Sequence, residues 1–185
     1  MFLVDYELIE MGIDPDYVNP TSYDLTVGGY RRLKKEWLQI GSVQDSYTYW
    51  NILGQPNIFL AEDRHKFWDK ERVLAEGEVI TISPWEPMLM VTREIIKIGE
   101  QQMGIMLSKS TIGRAFLEHF HAGFFDAGFE GQATLEVMNL APFPIQIVSG
   151  QRLVQMVTFE SSKTPLKIYK GRYKNLRGAE PPRGT

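Results

Sequence analysis

Glu136 stands in the run TLEVMN, a carboxylate flanked by apolar Leu135 and Val137. Strand alternation puts it on one face with Thr134 and Met138, opposite Leu135 and Val137. Burial there raises a carboxyl pKa toward the range useful for proton transfer; a structural ion pair is the ordinary alternative. Upstream, Ser110 and Arg114 are four apart in SKSTIGR, so a helix carries both on one face. Its N-terminus would add N–H donors and the positive dipole end, the makings of an anion site. A capping serine and a surface ion pair account for the same two residues. Asp126 lies in FFDAGFEG, where Gly128 and Gly131 suit a tight hairpin or bulge. There it either bonds its own backbone or is held toward a sugar hydroxyl or a water. His119 and His121 fall on one strand face and lack a third metal ligand.

All of these residues sit in one segment, Ser108 to Glu136. Its first half reads as a short helix, with Ser108, Ser110 and Thr111 as candidate caps and Ile112, Ala115 and Phe116 at helical spacing. Its second half reads as strand and turn. Around it, short apolar runs separated by Pro, Gly or charge predict the strands of a β sandwich or barrel. These are Val79 to Ile82, Met88 to Val91, Ile95 to Ile98, Gly104 to Leu107, Thr134 to Met138, Ile145 to Val148 and Leu153 to Phe159.

Nearer the start, Val4 to Met11 predicts a helix capped by Asp5 and stopped by Gly12. Ser22 to Val27 predicts a strand ended by Gly28-Gly29, whose backbone freedom suits a turn or a close approach, and the charged Arg31 to Glu36 cluster a solvated stretch. Gln39 to Arg72 has no clear period and reads as an irregular excursion. Its aromatics, Tyr47, Tyr49, Trp50, Phe59, Phe67 and Trp68, suit core or subunit contact, and His65 suits the surface. The tail, 171–185, is basic and rich in Gly and Pro, and is expected to be mobile unless docked.

Composition narrows the chemistry. With 185 residues, 43% hydrophobic and 12% aromatic, the chain suits one globular domain. A net charge of −3 provides no footprint for duplex nucleic acid, although local basic clusters suit a phosphorylated small molecule. There is no cysteine, which excludes a disulfide framework, a thiolate zinc site and a catalytic thiol. The stretch MFLVDYELIEMG carries acids and no basic n-region, so no signal peptide is expected. No apolar run is long enough to cross a bilayer, and a cytoplasmic, membrane-free protein is the expectation.

Taken together, KSTIGR, HFHAGFFDAGFEG and ATLE resemble the signature of the dCTP deaminase family, within the dUTPase-like superfamily. That signature runs R-S-S-x-x-R, H-x-T-A-G-x-I-D-x-G-F-x-G and T-L-E. NPTSYDLTVG, SGQRLVQM and RYKNLRGAEPPRG are similar to the family's flanking motifs, and about Gln44 to Ala75 lies outside the likeness. The resemblance implies a mainly β fold, a distorted β-barrel or jelly-roll of the dUTPase-like type with a few short helices. It implies one such domain over 1–170, with 44–75 as an irregular insertion, and 171–185 as a mobile lid. Homotrimers with intersubunit active sites are also implied.

By position, Glu136 would be the general acid/base that activates water for attack on C4 of cytosine. Ser110 would orient that water, Arg114 would steady Ser110, and the Ala122 backbone would meet the exocyclic group. Asp126 would meet the 3′-hydroxyl of the sugar. Lys109, Ser110 and Thr111, with Arg172 and Tyr173 of the tail, would meet a triphosphate carrying Mg²⁺. His121, Gln155 and Tyr169 complete the implied nucleotide contacts. The resemblance implies no zinc, and the H-x-E and P-C-x-x-C set of zinc deaminases is absent.

The implied activity is deamination of dCTP to dUTP and ammonia, continuing in bifunctional relatives to dUMP and pyrophosphate. Lys109 replaces the family's arginine, His121 its threonine and Leu176 its glutamine. Those departures leave open a dUTPase-like pyrophosphatase acting on dUTP or a modified pyrimidine deoxynucleotide. A non-catalytic nucleotide-binding regulator on the same scaffold is a further alternative.

Overall fold

The computed structural model describes residues 1–38, 43–60, 62–120 and 122–183. In chain order the elements are α1 (Asp5–Glu10), a 3-10 turn (Pro15–Tyr17), β1 (Val18–Asn19), β2 (Ser22–Arg32), α2 (Lys35–Leu38), α3 (Val43–Ile52) and α4 (Arg64–Phe67). Strands β3 (Arg72–Val73), β4 (Val79–Ile82), β5 (Pro87–Thr92), β6 (Ile96–Lys97) and β7 (Gln102–Ser108) follow. Then come α5 (Ser110–Arg114), β8 (Leu117–His119), β9 (Phe124–Phe125), β10 (Glu130–Gly131), β11 (Thr134–Asn139), β12 (Ile145–Val148) and β13 (Arg152–Glu160). Each apolar run expected to form a strand does so.

Among the described residues the main sheet has nine strands, in the order β8-β11-β5-β2-β13-β7-β9, with β1 and β3 also paired to β2. It curls strongly into a half-barrel. Two small ribbons, β10 with β6 and β12 with β4, complete the β structure. Alternating side chains of these strands, among them Leu25, Met90, Met106, Leu135, Ile147 and Met156, fill one core.

Strand β2 does not stop at Gly28-Gly29, contrary to expectation. Its first half pairs with β13 (Tyr23 opposite Met156), and its second half with β5 (Tyr30 opposite Met90). The register shifts between Val27 and Gly29, so the glycines mark a bulge rather than an end. A Cβ on Gly28 would lie 2.9 Å from the Cα of Arg93. Close backbone approach, not a turn, is what requires glycine here.

Other local readings need correction. In α1 the cap is Val4, whose N–H donates to the Glu7 carboxylate at 2.9 Å, and Asp5 is the first helical residue. Arg31 and Arg32 are engaged rather than solvated: Arg31 Nε donates to the Ala179 carbonyl at 2.5 Å, and Arg32 pairs with Glu86 and the Thr81 carbonyl. The stretch expected to be irregular contains α3 and α4. The α3 sequence VQDSYTYWNI is only weakly amphipathic, so it leaves little periodic signal. Phe67 is buried and stacks on Trp37 at 4.9 Å, whereas Phe59 is exposed; the side chains of Tyr47 and Tyr49 lie outside the described residues.

The C-terminal stretch lies along the outer face of β11 and β5. Asn175 N–H donates to Glu130 O at 2.6 Å, Gln132 N–H to Leu176 O at 3.1 Å and Glu180 N–H to Thr134 Oγ1 at 3.0 Å. Ala179 is fully buried against Leu89 and Val91, with Trp68 packed on them as a second small core. From the 64–71 stretch, Arg64 pairs with Glu180 at 2.5 Å and the Glu71 carboxylate accepts from Ala179 N–H at 2.6 Å.

Candidate active site

In β11, Leu135, Val137 and Asn139 are buried and Thr134, Glu136 and Met138 face the other way, as alternation predicts. Glu136 is half-buried. Its Oε2 is sealed from solvent and has no hydrogen-bond partner among the described residues. Burial pushes its carboxyl above the ordinary carboxylate range, partly offset by its own backbone amide. Its backbone carbonyl accepts from Phe120 N–H at 2.9 Å, and Gly123 O accepts from Met106 N–H at 2.8 Å, which fixes both ends of the loop bearing Ala122.

Glu136 opens onto a cavity of about 500 Å³. Ala122, Asp126, Thr134, Tyr169 and Tyr173 share its walls with apolar Met88, Phe125 and Leu176. Asp126 is exposed at the turn between β9 and β10, where its carbonyl accepts from Phe129 N–H at 3.1 Å. Gly128 holds φ at +79°, and a Cβ there would run into Ile168, so the turn that presents Asp126 is glycine-dependent.

A second group lies around α5. Lys109, not a hydroxyl residue, occupies the N-cap position and makes no capping bond with its side chain. Ser110, Thr111 and Arg114 are exposed along the helix. Ala115 and Phe116 are not an apolar stripe: the helix ends before them, and Phe116 turns the chain at φ +58° with its ring exposed. Lys109 Nζ donates to Asp24 Oδ1 at 2.5 Å. Gln155, opposite Asp24 on β13, accepts from Ser22 Oγ at 3.5 Å. Arg172 donates to Arg183 O at 3.1 Å, and Arg183 N–H donates to the Tyr173 hydroxyl at 2.9 Å.

One chain therefore brings together Ala122, Asp126, Glu136, Tyr169 and Tyr173. Lys109, Ser110, Thr111, Arg114, Gln155 and Arg172 do not line that cavity. His121 lies outside the described residues, and His119 is buried on β8 opposite Val137. No group of three or more His, Asp or Glu side chains converges on a metal position among the described residues. Thr134 and Trp68 line the cavity without having been read as site residues. Thr134 was findable, two residues from Glu136 on the same strand face; Trp68 was read as an aromatic for core or subunit contact, and it packs on Leu89, Val91 and Ala179 as well as lining the cavity.

Comparison with known proteins decides the family. A family model described as dCTP deaminase-like matches residues 5–161. The chain belongs to the dCTP deaminase-like family. Within it, the chain is 30% identical over 172 residues to the "dCTP deaminase, dUMP-forming" of Persephonella marina, covering 93% of this chain and 86% of that one. It is 36% identical over 112 residues to the protein of the same description from Aquifex aeolicus, covering 60% of this chain and 62% of the relative. The crystal structure of 2'-deoxycytidine 5'-triphosphate deaminase from Agrobacterium tumefaciens superposes with a TM-score of 0.59 at 20% identity over 89% of this chain. That likeness establishes the shared fold, and the chain spans about half the length of the Agrobacterium protein, 49%.

The environment of Glu136 has a measurable consequence for this family member. With its carboxyl raised in the folded state, the native protein holds a proton that the unfolded chain has released, between the ordinary carboxylate pKa and the raised value. Stability therefore falls as pH climbs through that window. Glu136→Gln is expected to remove this fall, so that the variant melts higher than wild type above the window and the two converge below it. Thermal melts of both proteins from acid to neutral pH check this.

Proposed function

We propose that the protein deaminates dCTP to dUTP and ammonia without zinc, and carries the product on to dUMP and pyrophosphate. The observation that carries the reading is Glu136: a half-buried carboxylate with a raised pKa on the wall of a nucleotide-sized cavity. Such a group takes a proton from water as the water oxygen bonds to C4 of cytosine. It passes that proton to ring N3, then moves the proton of the new C4 hydroxyl to the amino nitrogen as the C4–N bond breaks, ammonia leaves and C4 becomes a carbonyl. Ser110 orients the water, Arg114 steadies Ser110, the Ala122 backbone meets the exocyclic group, and Asp126 meets the 3′-hydroxyl. In the continuation, water bonds to the α-phosphorus and pyrophosphate departs.

The separation of the two residue groups within one chain supports completion of the site by a neighbouring subunit, and hence a homotrimer. The phosphate-facing set, Lys109, Ser110, Thr111 and Arg172, consists of cations and hydroxyls. Such donors suit phosphate oxygens rather than a metal, so Mg²⁺ rides on the triphosphate, where it offsets phosphate charge. A nucleotide of this kind is found in the cytoplasm, and the reading takes the enzyme to act there.

A second reading, pyrophosphate release from dUTP or a modified pyrimidine without deamination, is favoured by apolar Leu176 in the cavity wall. Incubation of the purified protein with dCTP and Mg²⁺ separates the two. Ammonia with dUTP or dUMP supports the first, and pyrophosphate without ammonia the second. If neither product forms and nucleotide still binds, the protein is a regulator on the same scaffold.

A further inference from the structure

Asp24 is an internal anion held between two cations. Its side chain on β2 is 2% exposed and accepts from three donors: Lys109 Nζ at 2.5 Å, Asn19 Nδ2 at 3.0 Å and Arg152 Nη1 at 3.4 Å. Two cations thus share one buried carboxylate, so the cluster carries one positive charge in excess. Both cations reach the surface, with side chains 25% exposed for Lys109 and 45% for Arg152. Lys109 starts α5, beside Ser110 and Thr111. Arg152 starts β13, and its guanidinium lies 4.6 Å from the centre of the Tyr17 ring, which fixes it beside Asp24.

A buried carboxylate cannot give up its cation cheaply, because an uncompensated charge away from water costs far more than the pair contributes. Lys109 is therefore committed to Asp24 unless another cation remains. We propose that Arg152 is a positioning residue: as the standing counterion of Asp24, it frees Lys109 to turn from Asp24 to the substrate's triphosphate. This rests on the proposed function, in which Lys109 meets the phosphates. The resting contacts fit the exchange, with Lys109 close and Arg152 about 1 Å further out, within reach of full engagement when the lysine departs.

The test is equilibrium binding of Mg²⁺-dCTP and of dCMP to the full-length protein in a Glu136→Gln background, in which turnover is slow against the binding measurement. Arg152→Ala is expected to weaken dCTP binding about tenfold, the loss of one charge-assisted contact, and to leave dCMP binding unchanged. Arg152→Lys keeps the counterion and should bind dCTP like its parent. Adding Asp24→Asn to Arg152→Ala releases Lys109 and should restore dCTP binding. In the turnover-competent protein, Arg152→Ala should raise KM and spare kcat.

Parallel loss of dCTP and dCMP binding, no loss of either, or a double variant as weak as Arg152→Ala would overturn the proposal. Should the Asp24→Asn protein not fold, the dCTP-to-dCMP ratio of Arg152→Ala against Arg152→Lys decides alone. A parent that binds neither nucleotide overturns the functional reading with it. A parent that prefers dCTP, with that preference untouched by Arg152→Ala, overturns only the role of Arg152.

Discussion

Glu136→Gln is expected to lower ammonia release from dCTP by about 10³-fold, the middle of the range for removing a general acid/base. The amide keeps the shape of the carboxylate but cannot take a proton from water or return one to the leaving nitrogen. Because Glu136 Oε2 has no partner among the described residues, the substitution breaks no hydrogen bond formed with that oxygen. Loss of rate with dCTP binding retained therefore reports chemistry rather than collapse. Single-turnover ammonia release, read beside dCTP binding, checks this. A variant within about tenfold of wild type would remove Glu136 from the proton-transfer role.

Truncation before Gly171 is expected to cut kcat/KM by at least about 10²-fold, because a segment that closes over substrate both excludes water and supplies contacts. Tyr173 and Leu176 line the cavity beside Glu136, and both leave with the tail, as does Arg172. The fold should survive, since among the described residues no buried residue of the main core lies beyond Met156. Size-exclusion chromatography and a thermal melt test the last point, and kinetics with dCTP the first. Turnover unchanged by truncation would show that 171–185 is no lid.

How much of this was legible in the sequence depended on whether a residue's neighbours carried a period. Leu135, Glu136 and Val137 alternate, so the facing of the carboxylate followed from three letters and the structure agrees. The runs forming β4, β5, β7 and β13 were legible as short apolar stretches between Pro, Gly or charge. Gly28-Gly29 was visible but ambiguous: a glycine pair serves equally to end a strand or to let another backbone approach, and only the position of Arg93 distinguishes them. Helix α3 was not legible because its amphipathicity is weak, and α4 because four residues are too few to show a period.

The capping of α5 failed differently. Three hydroxyl residues surrounded the helix start, yet Lys109 holds the N-cap position, its ammonium drawn to Asp24 by a pairing 85 residues apart. Likewise, the counterion cluster joins β2, β13 and the start of α5, which spacing alone cannot reveal. Within the candidate site, motif likeness outlined the residues, whereas their division into two groups emerged only from the folded chain.

The clasp between the 64–71 stretch and the tail also bears on local unfolding. The small core of Leu89, Val91, Ala179 and Trp68 is complete only while both partners are in place. Opening of the two segments is coupled, since releasing the tail uncovers Trp68 and releasing Trp68 uncovers Ala179. Breathing of the tail at Ala179 would therefore loosen Trp68 on the cavity wall in the same event. A substitution at Arg64 or Glu71, far along the chain from the tail, would alter how often the cavity opens without touching a residue that meets nucleotide.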